Sequence, residues 1–359
     1  MVCGSGYGYR RRWHRRGAGG GIGGLSRSRQ SHGRLREQAL QSSRRVGGIR
    51  GSPTKGAAVL RFVSELIPSL LVGLLLGLRF PQLPSRLAAP LVNWGVPLSL
   101  VGLLLRSGMG RELLVSGAMA ALVNGAGLLL LLGWAPLRRS IPHGGLQLGA
   151  VVGNTGYFGI PVAVALLPPA SLGHSISYDL VGTLFTWSVG PLLMQGLAFD
   201  ARRALAVLWG SPACKGLAIA LLLHLSPWGA ELGRLLWWPS QLLLLLALSV
   251  VGMRLGASLR QGVPLAPGEV WPLGGAVAFK LLAMPLLMVA LTLLIPLPLA
   301  VRDAVVLQAA APTAVSALLL AEAAGRDAER TAHLVLATTL LALVTVPLWW
   351  RLLAHLPAG

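Results

Sequence analysis

Long apolar runs, separated by short connections rich in arginine, proline and glycine, recur along this chain from residue 59 almost to its end. An apolar helix of about twenty residues crosses the hydrocarbon core of a bilayer. Reading the runs against their charged and Pro/Gly punctuation predicts ten spans, with ends uncertain by several residues. They fall near 59–78, 87–105, 112–133, 145–168, 178–198, 212–227, 235–253, 271–295, 303–321 and 331–353. The widest interior connection, 199–211, is about a dozen residues long, so no soluble domain interrupts them.

In two spans the apolar pattern fails. Gly153-Asn154-Thr155-Gly156-Tyr157-Phe158-Gly159-Ile160-Pro161 places three glycines, an asparagine and a proline within nine residues. Proline removes a helical donor, and glycine lowers the cost of unwinding. In lipid, broken backbone is tolerated only where protein encloses it, usually around a wet cavity. A second break, Gln308-Ala309-Ala310-Ala311-Pro312-Thr313-Ala314-Val315-Ser316, lies in the ninth span. Paired interruptions in corresponding halves are a transporter's sequence pointer to its binding site.

The halves also repeat. Leu98-Ser99-Leu100-Val101-Gly102 matches Leu248-Ser249-Val250-Val251-Gly252 at an offset of 150, and Pro161 and Pro312 are offset by 151. An odd number of spans per copy inverts the second copy in the membrane. The expected organisation is a basic tail over 1–58, a five-helix repeat over 59–198, a cytoplasmic connection over 199–211, a second repeat over 212–353 and a short tail over 354–359.

Composition agrees with an all-α membrane protein: 54% hydrophobic residues and 12% charged. The net charge of +20 changes meaning once it is located. Residues 1–58 hold thirteen Lys/Arg against Glu37 alone, so +12 of the +20 sits in the tail. That tail is too polar to pack a core. It reads as disordered or as an extension absent from the working protein, and no nucleic-acid partner is expected. The remaining arginines favour the odd-numbered connections. Arg79, Arg86, Arg138, Arg139, Arg202, Arg203, Arg260, Arg326 and Arg330 stand there, against Arg106, Arg111, Arg234, Arg302 and Arg351 elsewhere. The positive-inside rule puts the odd connections in the cytoplasm of a multi-pass cell (inner) membrane protein, with both termini outside. Cys3 and Cys214 supply neither a disulfide framework nor a cysteine metal site, and no cofactor or metal is expected. No Walker lysine motif, H-E-x-x-H, carboxylate pair or Ser/His dyad at matching depth is visible, which argues against an ATP-driven pump and an intramembrane enzyme.

Asn154-Thr155-Gly156-Tyr157-Phe158-Gly159-Ile160-Pro161 resembles the N-T-x-x-x-G-I-P segment of the auxin efflux carrier family. Gln308-Ala309-Ala310-Ala311-Pro312 resembles its Q-A-A-x-P, and Thr338-Thr339-Leu340 through Thr345-Val346-Pro347 resembles its last helix. The resemblance spans about 59–353. The chain resembles a bacterial member of that family; the long central hydrophilic loop of the plant PIN carriers is missing, which argues against auxin itself as the substrate. The resemblance implies ten helices in two inverted five-helix repeats, similar to bile-acid sodium symporters. It further implies that the fourth and ninth helices cross at Pro161 and Pro312, dividing a scaffold bundle from a transport bundle. Asn154 then falls on the asparagine that contacts the substrate carboxylate, and Lys280 on a basic residue of the eighth helix.

The residues themselves support a site at the breaks. A half-helix N-terminus presents unpaired N–H groups and partial positive charge, which suit an anion. Asn154, Thr155 and Gly156 at the first break, and Gln308, Thr313 and Ser316 at the second, are the expected binding groups. Lys280 lies about 13 Å into its span at 1.5 Å per residue, where a lysine is expensive; anion attraction and locking of the bundle are both open to it. Ser99 and Ser249 either face the cavity or bond back to a helix carbonyl. Gly145, Gly149 and Gly153 read as packing glycines, and Arg61 with Glu65 as a helical ion pair. Arg254, Lys215 and Asp179 are expected at interfacial helix ends, and Trp237, Trp238, Trp271, Trp349 and Trp350 as aromatic belts. No Asp or Glu stands within either break.

The function expected is a secondary transporter, an efflux carrier, of a small organic anion bearing a carboxylate, working by alternating access. The alternative is a sodium- or proton-coupled symporter of the bile-acid type. The expected partners are that anion, the lipid bilayer and a second copy in a homodimer. Cysteine labelling of the Arg202–Arg203 connection tests the orientation: reaction from the cytoplasmic side alone is expected, and reaction from outside reverses the topology.

Overall fold

Glycines at four-residue spacing bring two helices of this chain into backbone contact. Helix α1 (Lys55–Arg79) carries Gly73 and Gly77, and helix α10 (Gly229–Gln261) carries Gly252 and Gly256. A Cβ added to Gly73 would stand 2.0 Å from the Ser249 carbonyl oxygen, and one on Gly77 2.0 Å from that of Met253. In return, Gly252 and Gly256 would meet the carbonyls of Leu70 and Leu74 at 2.3 and 2.2 Å. Association of helices in lipid relies on such close packing, because hydrocarbon offers no hydrophobic drive between them.

The structure, a computed structural model, describes residues 55–107, 111–195, 202, 206, 209–210, 212–262 and 267–356. The basic tail is outside the described residues up to residue 54, as is most of the 199–211 connection. The side chains of Arg61 and Glu65, and hence their expected pairing, also lie outside the description. Among the described residues the fold is all-α, with a single isolated bridge between extended segments.

Helices α2 (Leu83–Pro90) and α3 (Val96–Ser107) are joined by a π-helical turn over Leu91–Gly95. Both α1 and α3 pack on α10, and α9 (Pro212–His224) packs on α3. These elements form a first bundle. The second begins with α4 (Arg111–Gly133) and the short α5 (Ala135–Ser140), then α6 (Gly144–Val151), a π-turn over Thr155–Gly159 and α7 (Ile160–Leu166). Helix α8 (Leu172–Gln195) follows. Beyond α10 come α11 (Val270–Ala278), a π-turn over Phe279–Ala283, α12 (Met284–Leu294), α13 (Leu299–Ala309), α14 (Val315–Ala324) and α15 (Ala328–Leu353). Helix α8 packs on α4, α13 and α14, and α15 packs on α6, α11 and α14.

Among the described residues four stretches are long and apolar enough to cross a membrane: Leu113–Gly133, Gly229–Arg260, Pro267–Leu294 and Ala328–Leu353. Shorter apolar helices, Thr155–Leu166 and Val315–Ala324 among them, account for much of the rest. Leucines on the outside, such as Leu75, Leu129, Leu222 and Leu242, are exposed, as a lipid-facing surface requires. Several boundaries differ from expectation. Helix α8 starts at Leu172 rather than 178, and α10 covers 229–261 rather than 235–253. Polar residues at those ends hid the extra turns.

Polar contacts sort the connections into two groups. The Arg260 guanidinium donates to the Leu78 and Arg79 carbonyls at 2.7 and 3.1 Å. His143 stands 3.7 Å from Glu269 and 3.6 Å from Asp327, and Arg330 bonds the same two carboxylates at 2.7 and 3.1 Å. The approaches to α6, α11 and α15 therefore meet at one end. At the far end of α15, about 39 Å away at 1.5 Å per residue, Arg302 of α13 donates to the Leu353 and Leu356 carbonyls at 3.0 and 3.4 Å.

The glycine contact yields a test. Gly256→Val drives a branched side chain into the α1 backbone, and overpacking of this kind costs about 1–3 kcal/mol or more. The thermal midpoint of the purified protein is expected to fall well below that of Gly125→Ala, where nothing lies within 4 Å of the added methyl position.

Candidate functional site

Helix α6 ends because Val152 turns extended (φ −83°, ψ 136°), and Asn154 (φ −76°, ψ 64°) is not helical either. Across the bundle α13 stops at Ala309, and Ala314 is extended (φ −64°, ψ 135°) before α14 begins. The two interruptions meet. Asn154 N–H donates to the Pro312 carbonyl at 2.7 Å, and Ala314 N–H donates to that of Val152 at 3.1 Å. Gly153 and Thr313 thereby form an antiparallel bridge. Backbone groups released by one helix find their partners in the other, as a water-poor interior demands.

Several expected site residues hold this crossing together. The Thr313 hydroxyl donates to the Gly149 carbonyl at 2.8 Å, and its N–H donates to the Thr338 hydroxyl at 3.1 Å. Gly145 and Gly149 admit Thr331 and Leu334 of α15, in line with their reading as packing glycines. Lys280, 1% exposed, donates from Nζ to the Ala309 carbonyl at 2.9 Å. An ammonium at the last residue of α13 offsets the partial negative charge of a helix C-terminus. Gln308 is buried with its amide against Gly159, where an added Cβ would meet Oε1 at 2.0 Å. Lys280, Gln308, Thr313 and both crossover prolines thus stand outside the lining of the cavity described next. The serine pair divides: Ser99 lines that cavity, whereas Ser249 bonds back to the Leu245 carbonyl at 3.0 Å. Trp271 and Trp238 are exposed as belt residues should be, but Trp349 is buried and donates to the Leu281 carbonyl at 3.0 Å.

A cavity of about 120 Å³ opens where the crossing faces the first bundle. The first break contributes Asn154, Thr155, Gly156 and Tyr157; the second contributes Ala314, Val315 and Ser316. The N-terminal ends of two half-helices, Thr155–Leu166 and Val315–Ala324, therefore converge on one space. Both ends carry partial positive charge. The buried Asn154 Nδ2 and Tyr157 hydroxyl have no hydrogen-bond partner among the described residues. Such groups imply a missing acceptor, since an unpaired buried donor costs free energy.

Two charged residues in the lining correct the sequence reading. Asp179 is not at a helix end: α8 begins seven residues earlier, and the Thr155 hydroxyl donates to Asp179 Oδ1 at 2.6 Å. A carboxylate does reach the first break, supplied by a neighbouring helix. Arg254 is likewise interior to α10, with Nη1 3.7 Å from Glu322 Oε1. The available signal is a lone charge inside an apolar run, obscured by starting the span of α8 too late and ending that of α10 too early. Lys215 is exposed near the start of α9, as expected. A buried Ser/His pair also exists, Ser116 Oγ and His174 Nδ1 at 2.8 Å, but it lies outside the cavity lining. No cluster of three or more His, Cys, Asp or Glu among the described residues is placed to hold a metal ion.

The role of Lys280 is testable. Lys280→Met leaves the Ala309 carbonyl buried without its donor, a loss of about 1–3 kcal/mol. A lower thermal midpoint is expected, and an unchanged one removes Lys280 from the support of the break.

No curated protein matches this chain significantly. Residues 209–350, which include the second break, α10 and Lys280, match the family described as membrane transport protein. This second half is similar to the membrane transport protein family, that of the auxin efflux carriers, and the similarity indicates a membrane transporter.

Proposed function

We propose that this transporter moves a small organic anion bearing a carboxylate by alternating access at the crossed breaks. The observation that carries this reading is the convergence of two half-helix N-termini and an unpartnered Asn154 amide on one cavity. An acidic group suits that combination of partial positive charge and spare donors. The cavity also lies between two bundles of unlike construction. Glycine-mediated backbone contact makes α1 and α10 a rigid platform, while the second bundle hangs on the crossing. Rocking of one bundle against the other is the transport step that such a division supports.

Ten spans in two inverted repeats fit the packing. Contact of α1 with α10 pairs the first span with the seventh, and contact of α9 with α3 pairs the sixth with the second. Those are the equivalent contacts of a duplicated five-span unit. The polar clusters at the two ends group odd-numbered connections apart from the remainder, which supports placing the odd-numbered connections on one side of the membrane.

Asp179 favours a second reading, in which a proton or sodium ion travels with the anion. Its carboxylate, with the Thr155 hydroxyl, sits where such a cation would neutralise it.

Proteoliposomes loaded with benzoate, succinate or indole-3-acetate test both readings. Asn154→Ala is expected to slow transport of the preferred anion at least about tenfold, since a hydrogen bond to a charged group is worth roughly 1.5–3 kcal/mol. Transport equal to wild type rejects the site. Stimulation by an imposed Na⁺ or pH gradient, lost in Asp179→Asn, selects the coupled form; indifference to both gradients selects the uncoupled carrier.

A further inference from the structure

Arg254 and Glu322 belong to different bundles. Arg254 lies on α10 of the platform, and Glu322 lies in the last turns of α14, the helix whose N-terminus lines the cavity. Their ion pair therefore spans the divide along which the bundles would move. It is a loose pair. The 3.7 Å separation exceeds the 2.7–2.9 Å of a charge-assisted hydrogen bond. The Arg254 side chain is 12% exposed and that of Glu322 is 49% exposed, so the cation is the buried partner.

Arg254 is also under-used. A guanidinium offers five donors in a planar fork that matches a carboxylate. Here its Nε is buried without a partner among the described residues. Of the described residues lining the cavity, Arg254 is the cation and Asp179 the anion. Asp179, on α8 of the second bundle, accepts from the Thr155 hydroxyl. Lys280 is committed to the Ala309 carbonyl. An entering carboxylate thus meets one positively charged side chain, and that side chain is held by a weak, half-exposed competitor.

We infer that the transported anion takes Arg254 from Glu322, so that loading the site releases the ion pair joining the two bundles. This rests on the proposed anion site and adds to it the step by which binding permits movement. Without cargo, Arg254–Glu322 ties α14 to α10 and holds the empty carrier in one orientation. With cargo, the carboxylate occupies the guanidinium fork and Glu322 turns to water at small cost, being half exposed already. Asp179, on a helix of the other bundle, repels a second carboxylate and orients the first toward Arg254. A carrier of this design exchanges anions across the membrane faster than it returns empty.

Exchange and net uptake of the preferred anion among benzoate, succinate and indole-3-acetate, measured on the same vesicles, test the inference. Wild type is expected to exchange faster than it takes up. In Glu322→Gln the apparent affinity should tighten about fivefold, the worth of a partly exposed ion pair. The exchange-to-uptake ratio should also fall toward one. Arg254→Gln should weaken anion binding at least about tenfold, as loss of a charge-assisted contact does. The double swap Arg254→Glu with Glu322→Arg should restore the wild-type thermal midpoint but not transport. If Glu322→Gln leaves both affinity and ratio unchanged while Asn154→Ala abolishes transport, the displacement step is wrong and the site stands. If Asn154→Ala also transports as wild type, the site reading falls and takes this inference with it.

Discussion

Two hydrogen bonds hold the centre of this molecule: Asn154 N–H to the Pro312 carbonyl, and Ala314 N–H to that of Val152. A helix that stops inside a bilayer releases backbone donors and acceptors that water cannot reach. Here each stop supplies the partners of the other. Neither interruption could persist alone, and the crossing constrains everything near it. Thr313 bonds the Gly149 carbonyl and the Thr338 hydroxyl, Lys280 covers the Ala309 carbonyl, and Gly159 leaves room for the Gln308 amide.

That arrangement separates support from site. On the far side of the crossing Thr313 and Lys280 are spent on stabilising it, while the Gln308 amide there and Asn154 and Tyr157 facing the first bundle keep buried polar atoms without partners among the described residues. Asn154 does both: its backbone N–H belongs to the bridge, and its Nδ2 is spare beside the cavity. The half-helix N-termini at Thr155 and Val315 converge on one cavity because the antiparallel bridge joins the two breaks beside it. An anion-directed field is therefore a by-product of the geometry that makes broken helices tolerable in lipid.

The first bundle answers a different demand. Close contact of Gly73 and Gly77 with the α10 backbone leaves little freedom to slide. Against that platform, Arg254 is the charge presented to the cavity, and Glu322 is the group that meets it from the second bundle. Rigid packing within the platform and polar contacts across the divide suit the proposed rocking, since polar pairs can exchange partners and interlocked backbones cannot.

Much of this was legible in the residues. Apolar length and composition placed the chain in a membrane, and proline with glycine inside two apolar runs marked the breaks, because those features act locally on backbone hydrogen bonding. The offset between Pro161 and Pro312 pointed to a relation between them. What no local pattern carried was the direction of each side chain. Lys280 and Asp179 are both lone charges in apolar helices, yet one serves the frame and the other lines the cavity. Ser99 and Ser249 occupy matching positions in repeated segments and still part company. Which polar group is consumed by the crossing and which is left free depends on partners more than twenty residues away in the chain. Only the packed structure brings those partners within hydrogen-bond range.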